Sequence, residues 1–390
     1  MGSAVSVERI TVFLSRELNS MSIVEIHADQ YRVPLQTVLS DSTHGEISDF
    51  GLIVVRLVDE NGRVGLGYTY TVNTIGAGAV WKIIESDLAP LLQGADPTAI
   101  DALWERMWWH LHFVGRGGMA SFAMAAVDIA LWDLQGHRES LALWRLLGGH
   151  RSEVSAYAGG IDLDLPIENL LSQAEMFLDQ GFHAIKMKVG RDQLSEDIER
   201  VRSMRGLLGP NFPLMADANM RWNIDQAVQA VDALSKFDLH WLEEPLIPED
   251  LEGHQRLGRE AKIPSATGEN LHSVHEFEYL MNYGHVDFPE PDAATLGGIT
   301  PWIRVAKLAQ SKGLPVTSHG IHDVHVHLLA AVPNASYLEV HGFGLERFIE
   351  RRVQLTEGKA IAPDIPGHGV KLDLAGLMGY REATYSSVKS

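Results

Sequence analysis

From Ile23 the chain falls into apolar runs of strand length separated by turn residues. IVEIHADQYRV and then LIVVRLVDENGRVGLGYTYT read as strands, with the Asn61-Gly62 pair and nearby glycines marking a hairpin, so residues 21 to about 75 predict antiparallel β structure. From Ala79 to Leu147 the apolar spacing turns helical, and small residues gather in ASFAMAAVDIALWDLQG, which predicts closely packed helices. The Trp-rich run WERMWWHLHF admits a ligand-stacking reading, but aromatics at such spacing usually fill a core, and a packed helix face is expected.

After Gly149 the pattern becomes a repeat. Short β-like segments recur as VSAYAGG, FHAIKMKVG, FPLMADAN, LHWLEEP, IPSATGEN, VDFPEPDA, LPVTSHG and SYLEVHG. Amphipathic stretches such as IENLLSQAEMFLDQG, IDQAVQAVDALSKF and GITPWIRVAKLAQSKG lie between them, and most close on Gly or a basic residue as helix ends do. Eight strands alternating with helices predict a parallel βα barrel. One polar residue stands near the end of most of these strands: Lys188, Asp217, Glu243, Glu269, Asp292, His319 and Glu339, at successive spacings of 29, 26, 26, 23, 27 and 20 residues. Each spacing suits one βα unit, and polar groups at the carboxyl ends of barrel strands converge on the active-site face. The turn-rich tail from about Val353, containing KAIAPDIPGHGVKLDL, is expected to pack back on the first part of the chain.

Composition narrows the function. The chain has 390 residues, 45% of them apolar and 21% charged, which describes a globular protein rather than a disordered one. Thirty-two Lys and Arg against 51 Asp and Glu leave a net charge of −19, which repels nucleic acid and anionic membrane and favours a small-molecule partner. Having no cysteine, the chain has no disulfide, thiolate zinc site, iron–sulfur cluster or cysteine nucleophile, and a cytoplasmic location fits. No apolar stretch approaches the roughly 20 residues of a membrane span, and ITVFL is too short for the apolar region of a signal peptide.

The strand-end residues suggest chemistry. Asp217, Glu243 and Glu269 end three consecutive strands, where their carboxylates would repel unless they share a cation. All-oxygen donors select Mg²⁺, with Mn²⁺ able to substitute, over zinc; the alternative is three separately solvated acids. Lys186 and Lys188 lie two residues apart and so share a face. Beside a divalent ion, like charge is expected to lower the pKa values of the two ammonium groups and free one as a base near pH 7, unless one of them turns outward to solvent. Asp292 and His319 end adjacent strands and can form a dyad in which the carboxylate orients the imidazole; a structural histidine is the other reading. Glu339, if protonated, can donate a hydrogen bond to a developing enolate oxygen, or it can simply pair with a lysine. The run HGIHDVHVH invites a zinc reading, but paired histidines on the first barrel strand would be expected and VSAYAGG has none.

In order along the chain stand the Lys-x-Lys of AIKMKVG, the Asp-x-Asn of ADAN, WLEEP, ATGEN, PDAATLGGI, SHG and LEVHG. With these seven motifs the chain resembles the enolase superfamily and, within it, the mandelate racemase subgroup (the mandelate racemase/muconate lactonizing enzyme family), from Met21 to about Leu374. The resemblance implies an α/β fold: a modified TIM barrel of seven βα units plus a strand, under an N-terminal α+β capping domain. Residues 1–20 would be an extension of unknown role, 21–150 the capping domain, 151–352 the barrel and 353–390 a segment packing back on the cap. It further implies that Asp217, Glu243 and Glu269 bind one Mg²⁺, that Lys188 is a base assisted by Lys186, and that His319, oriented by Asp292, is the acid/base on the opposite face. Glu339 would be the electrophilic donor, and Asn219 would sit near the metal and the substrate.

Two opposed proton-transfer groups serve dehydration, cycloisomerisation or racemisation alike. LSDSTHG, GYTYT, HFVGRGG, SFAMAAVDIALWDL and AYAGGIDL look most like the acid-sugar dehydratase and anhydro-galactonate cycloisomerase branches. The expected reaction is dehydration of a sugar acid to a 2-keto-3-deoxy acid, with cycloisomerisation of an anhydro-sugar acid or lactone, or 2-hydroxyacid racemisation, as alternatives. Asp41, His44 and Arg116 are the polar candidates for the distal end of the substrate, and a cytoplasmic homo-oligomer is expected. One departure from the pattern is PEPD, where Glu290 replaces a usually neutral residue.

Overall fold

The structure is a computed structural model and describes residues 22–341 and 345–388. The extension expected at residues 1–20 lies outside the described residues. Three strands open the fold as an antiparallel meander: β1 (Ile23–Asp41), β2 (Gly45–Asp59) and β3 (Val64–Val72). The β2–β3 turn is held by Asp59, whose carboxylate accepts from the backbone N–H groups of Asn61 and Arg63, each at 2.9 Å, while Gly62 takes the left-handed φ of 74°.

The small residues of ASFAMAAVDIALWDLQG have a physical cause. They form the helix Met119–Glu139, which packs directly on β3. At Gly65 and Gly67 of that strand a Cβ would stand 2.2 Å from the Ala130 carbonyl and 2.0 Å from that of Ala126, so only glycine lets the helix backbone lie so close. Ile53, Val55 and Leu57 of β2 complete this core with Ala123, Val127 and Leu131. In the Trp-rich helix Ile100–Leu111, Leu103, Trp104 and Met107 are buried, as expected for a packed face, whereas Trp109 is exposed.

The barrel follows. Its strands are β4 (Glu153–Gly159), β5 (Ile185–Lys188), β6 (Leu214–Asp217), β7 (Leu242–Glu243), β8 (Ser265–Thr267) and β9 (Phe288–Pro289), paired in parallel in that order. The last strand, β10 (Tyr337–Val340), pairs in parallel with β4 and closes the ring, with Glu339 opposite Tyr157. LPVTSHG, expected as a strand, forms only an isolated bridge between Val316 and Ala335. Pro315 has no N–H to give, and the segment joins its neighbours through Thr317 N to the Pro289 carbonyl at 3.0 Å and Ser336 N to the Val316 carbonyl at 2.8 Å. Helices follow β4 to β9 and the bridged segment, which makes seven βα units and a final strand. Tyr157, Trp241, Met215, Ala184 and Ala266 fill the interior as a buried floor.

The tail divides. A hairpin of β11 (Gln354–Thr356) and β12 (Lys359–Ile361) adds antiparallel to β4 of the barrel, while β13 (Arg381–Val388) adds antiparallel to β1 of the N-terminal sheet. Among the described residues no helix is long and apolar enough to cross a membrane.

The N-terminal part and the barrel are joined by Asp128. Its carboxylate accepts from Thr300 N at 2.8 Å and from Thr300 Oγ1 at 2.7 Å, capping the barrel helix Ile299–Ser311 from the helix that covers β3. Asp128→Ala leaves that buried N–H unpaired and should cost about 1–3 kcal/mol in denaturant unfolding. Asp128→Asn, which keeps an acceptor, should cost less.

Candidate active site

The barrel repeat delivers its polar strand ends to one place. In the parallel register Lys188 stands beside Asp217, and Asp217 beside Glu243. Glu269 follows just beyond β8, and ligand oxygens of Asp217, Glu243 and Glu269 all lie within 4.8 Å of one another. The chain turns sharply after β6, with Asn219 and Met220 at φ of 43° and 59°, and this aims Asn219 N at Asp217 Oδ1, 2.8 Å away. Trp241, from the floor, donates its indole N–H to Glu243 Oε2 at 3.1 Å.

Both lysines point inward, so neither takes the solvent-facing alternative. Lys186 Nζ lies 2.5 Å from Glu243 Oε1 and 2.6 Å from Glu339 Oε1, and Lys188 Nζ is ion-paired with Asp217. Burial alone would lower both ammonium pKa values, but the carboxylates outweigh it, Glu243 and Glu339 for Lys186 and Asp217 for Lys188, and raise both above the ordinary value. These raised values belong to the site without a metal ion, where the carboxylates in contact outweigh the like charge of the pair. Burial pushes Glu243 up to about 8 against the pull of Lys186. Asp217 is also pushed up by burial, yet the two lysines hold it below its ordinary value.

The dyad is formed: His319 Nδ1 lies 3.2 Å from Asp292 Oδ2. Its other nitrogen, Nε2, lies 3.0 Å from Glu269 Oε2. The carboxylate group is therefore flanked at its Asp217 end by Lys188 and at its Glu269 end by His319. Glu339 takes the lysine-paired alternative. Burial pushes its carboxyl up, but His341, 3.1 Å away, and Lys186 hold it well below the ordinary value, so it is a carboxylate in this arrangement.

The distal candidates separate. Asp41 accepts from Thr43 N at 2.9 Å and His44 N at 2.6 Å and pairs with His44 Nδ1 at 2.8 Å, while Ser42 and Thr43 donate to the Ala218 and Asn219 carbonyls. These bonds pin the Asp41–His44 loop over the end of β6. Asn219 is buried there, its Oδ1 without a hydrogen-bond partner. Arg116 lines a cavity with His272, three residues after Glu269. Its guanidinium lies 5.6 Å from the Trp108 ring centroid in a cavity of about 340 Å³ that Trp104 and His272 also line, and no hydrogen bond or ion pair joins it to the site among the described residues. Glu290 lies in the floor, where Tyr157 Oη donates to it at 3.3 Å. Burial, then the neighbouring Glu243, push its carboxyl well above the ordinary value.

The run HGIHDVHVH does not gather its histidines into one site: His319 lies with Glu339 and His341, their ligand atoms within 4.8 Å of one another, and the other three point elsewhere. His322, His325 and His327 sit on one buried helix, where His325 accepts from Ala293 N at 2.9 Å and His327 contacts Trp144 N and the His368 carbonyl. Burial lowers these two to about 4 and about 3, so both are neutral structural groups. Sequence reasoning missed Tyr70, whose hydroxyl donates to Asp292 Oδ2 at 2.8 Å, and His341. Both lie inside motifs singled out for other residues, GYTYT and LEVHG.

The chain matches the family model of the mandelate racemase/muconate lactonizing enzyme N-terminal domain over residues 22–148 and the enolase C-terminal domain-like model over residues 169–376. It is 52% identical to a 3,6-anhydro-alpha-L-galactonate cycloisomerase of Streptomyces coelicolor, across 90% of this chain and 97% of that one. An L-talarate/galactarate dehydratase of Salmonella typhimurium is 35% identical, across 87% and 86%. Among solved structures, a racemase from Streptomyces coelicolor with bound magnesium superposes with a TM-score of 0.90 at 50% identity, covering 92% of this chain and 100% of that one.

Burial alone would lower the His319 pKa, but Glu269, Asp292 and Glu339 outweigh it and push it up to about 10. Because the folded value exceeds the ordinary 6.5, the imidazolium contributes stability fully below pH 6.5, and that contribution is lost as pH rises through about 10. In the metal-free protein the ring C–H signals of His319 should titrate near pH 10 by NMR and move lower in Asp292→Asn. A midpoint near 6.5 in the unaltered chain would contradict this electrostatic picture.

Proposed function

The chain belongs to the mandelate racemase/muconate lactonizing enzyme family of the enolase superfamily, and on that premise we propose that it is a magnesium-dependent enzyme acting on a sugar acid. It removes the proton α to the carboxylate and expels the oxygen on the next carbon. The observation that carries this reading is the single carboxylate group flanked by Lys188 and His319. Asp217, Glu243 and Glu269 suit magnesium, being three hard oxygen donors within 4.8 Å of one another with no sulfur among them. When bound, the ion supplies a Lewis acid that neutralises the substrate carboxylate and the charge developing on it.

The chain's own residues move the protons. With the carboxylates' charge taken up, like charge from Lys186 and burial are left to act on Lys188, its pKa falls, and its neutral amine accepts the α-proton as the C–H bond breaks. Lys186 stays held between Glu243 and Glu339 as a fixed positive charge. His319, as imidazolium fixed at Nδ1 by Asp292, gives its Nε2 proton to the departing oxygen as the C–O bond breaks. The enol that remains tautomerises to a 2-keto-3-deoxy acid.

The same proton path serves two leaving groups. In a 3,6-anhydro sugar acid the departing oxygen is the ring ether, and the product is a ring-opened isomer; in an open-chain acid it is a hydroxyl, lost as water. The 52% identity to the cycloisomerase favours the ring ether. Dehydration, the reaction first expected, is the second reading and is favoured by the likeness to the talarate/galactarate dehydratase.

Incubation in D₂O with Mg²⁺ and either 3,6-anhydro-galactonate or a panel of aldonic and aldaric acids, followed by NMR, tests the proposal. A 2-keto-3-deoxy acid from the anhydro sugar is the expected result. Exchange of the α-proton without a keto product would indicate epimerisation instead, and no product from any acid would sink the reading. Lys188→Ala and His319→Asn should each lower turnover by about 10²–10⁴-fold. Calorimetry should find Mg²⁺ bound at least as tightly in both, since each change removes a cation paired with one of the three carboxylates, but strongly weakened in Glu243→Gln.

A further inference from the structure

β3 carries the N-terminal sheet into the His319 side of the site. Thr69 Oγ1 donates to the Ala294 carbonyl at 2.7 Å, and the next residue, Tyr70, is buried with its hydroxyl donating to Asp292 Oδ2 at 2.8 Å. The same carboxylate oxygen lies 3.2 Å from His319 Nδ1, and the phenol oxygen itself is 3.4 Å from that nitrogen. Asp292 Oδ1 is occupied separately by Ala294 N at 2.7 Å. Gly320, at φ 79°, completes the arrangement: a Cβ there would stand 2.6 Å from the Tyr70 hydroxyl and 2.3 Å from Asp292 Oδ2. The Phe50 ring meets Tyr70 edge-on at 5.9 Å and fixes its plane. A carboxylate can only accept, so the phenol must donate, and with both oxygens engaged Asp292 cannot rotate away from the imidazole.

The Lys188 side has a different anchor. Asp162 accepts from Lys188 N at 3.0 Å and is itself held by Arg200 at 3.3 Å. The two proton-transfer groups are thus fixed by separate sets of contacts.

We propose that Tyr70 is a positioning residue for the proton-delivering half of the site: it holds Asp292, and through it His319, so that Nε2 faces the departing oxygen. The proposal rests on the reading of His319 as proton donor. It predicts that the two halves can be uncoupled, because nothing in the Asp162 anchor depends on the phenol.

Tyr70→Phe removes the hydroxyl and keeps the ring. In the full-length, Mg²⁺-loaded protein, with whichever acid the unaltered chain converts, kcat for elimination should fall by roughly 10- to 100-fold with KM little changed, as for other residues that orient a functional histidine. Exchange of the substrate α-proton in D₂O, the work of Lys188, should continue at its original rate. Without substrate, the ¹⁵N signals of the His319 imidazole should shift on Tyr70→Phe. An unchanged imidazole spectrum overturns the proposal, as does a loss of exchange in step with elimination. If the unaltered chain converts no sugar acid, the imidazole spectrum still decides the role of Tyr70, and the functional reading falls separately.

Discussion

Three carboxylates buried side by side are the constraint around which the barrel is arranged. Asp217 and Glu243 are fully buried and Glu269 is nearly so, and a carboxylate taken out of water without compensation is among the costliest features a fold can carry. Two ammonium groups on one strand offset that cost. Lys186 and Lys188 share a face because β5 has a two-residue period, and the parallel register sets them against Asp217 and Glu243. Removing one member of such a buried set exposes the rest to uncompensated charge, so the cluster is held by mutual need rather than by any single strong pair. A divalent cation held by the three carboxylates would fit the same balance.

The N-terminal sheet is part of this site as much as a cover for it. Two glycines of β3 bring the helix Met119–Glu139 onto the sheet, and Asp128 of that helix caps a barrel helix. The loop from Asp41 to His44 is pinned to the carbonyls after Asp217, and Tyr70 reaches Asp292. The net charge of −19 then ceases to conflict with an anionic substrate. On the proposed function, acids gathered at Asp217, Glu243 and Glu269 would hold the cation, and a substrate would meet a local field shaped by that ion and two lysines.

Much of this was legible in the chain because βα units repeat. One polar residue ending each apolar run, at spacings of 20 to 29 residues, locates the mouth of the barrel before any geometry is known. The carboxylate trio, the lysine pair and the Asp292–His319 dyad all follow from strand order. Contacts between distant segments did not. Tyr70 reads simply as a strand aromatic, because its partner lies 222 residues away. The lysine pKa direction depends on which carboxylates touch each ammonium, which spacing does not reveal. LPVTSHG carries a strand's composition, yet Pro315 and a bridge of one residue pair reduce it. Arg116 stands in a polar, glycine-rich loop that suggested the substrate, and the fold turns it toward Trp108.

The most direct test of the account is a crystal structure of Lys188→Ala with Mg²⁺ and an intact sugar acid. The account predicts the ion on Asp217, Glu243 and Glu269, with the substrate α-carbon between residue 188 and His319 Nε2. An ion bound elsewhere, or an α-carbon with both positions on the same side, would contradict it.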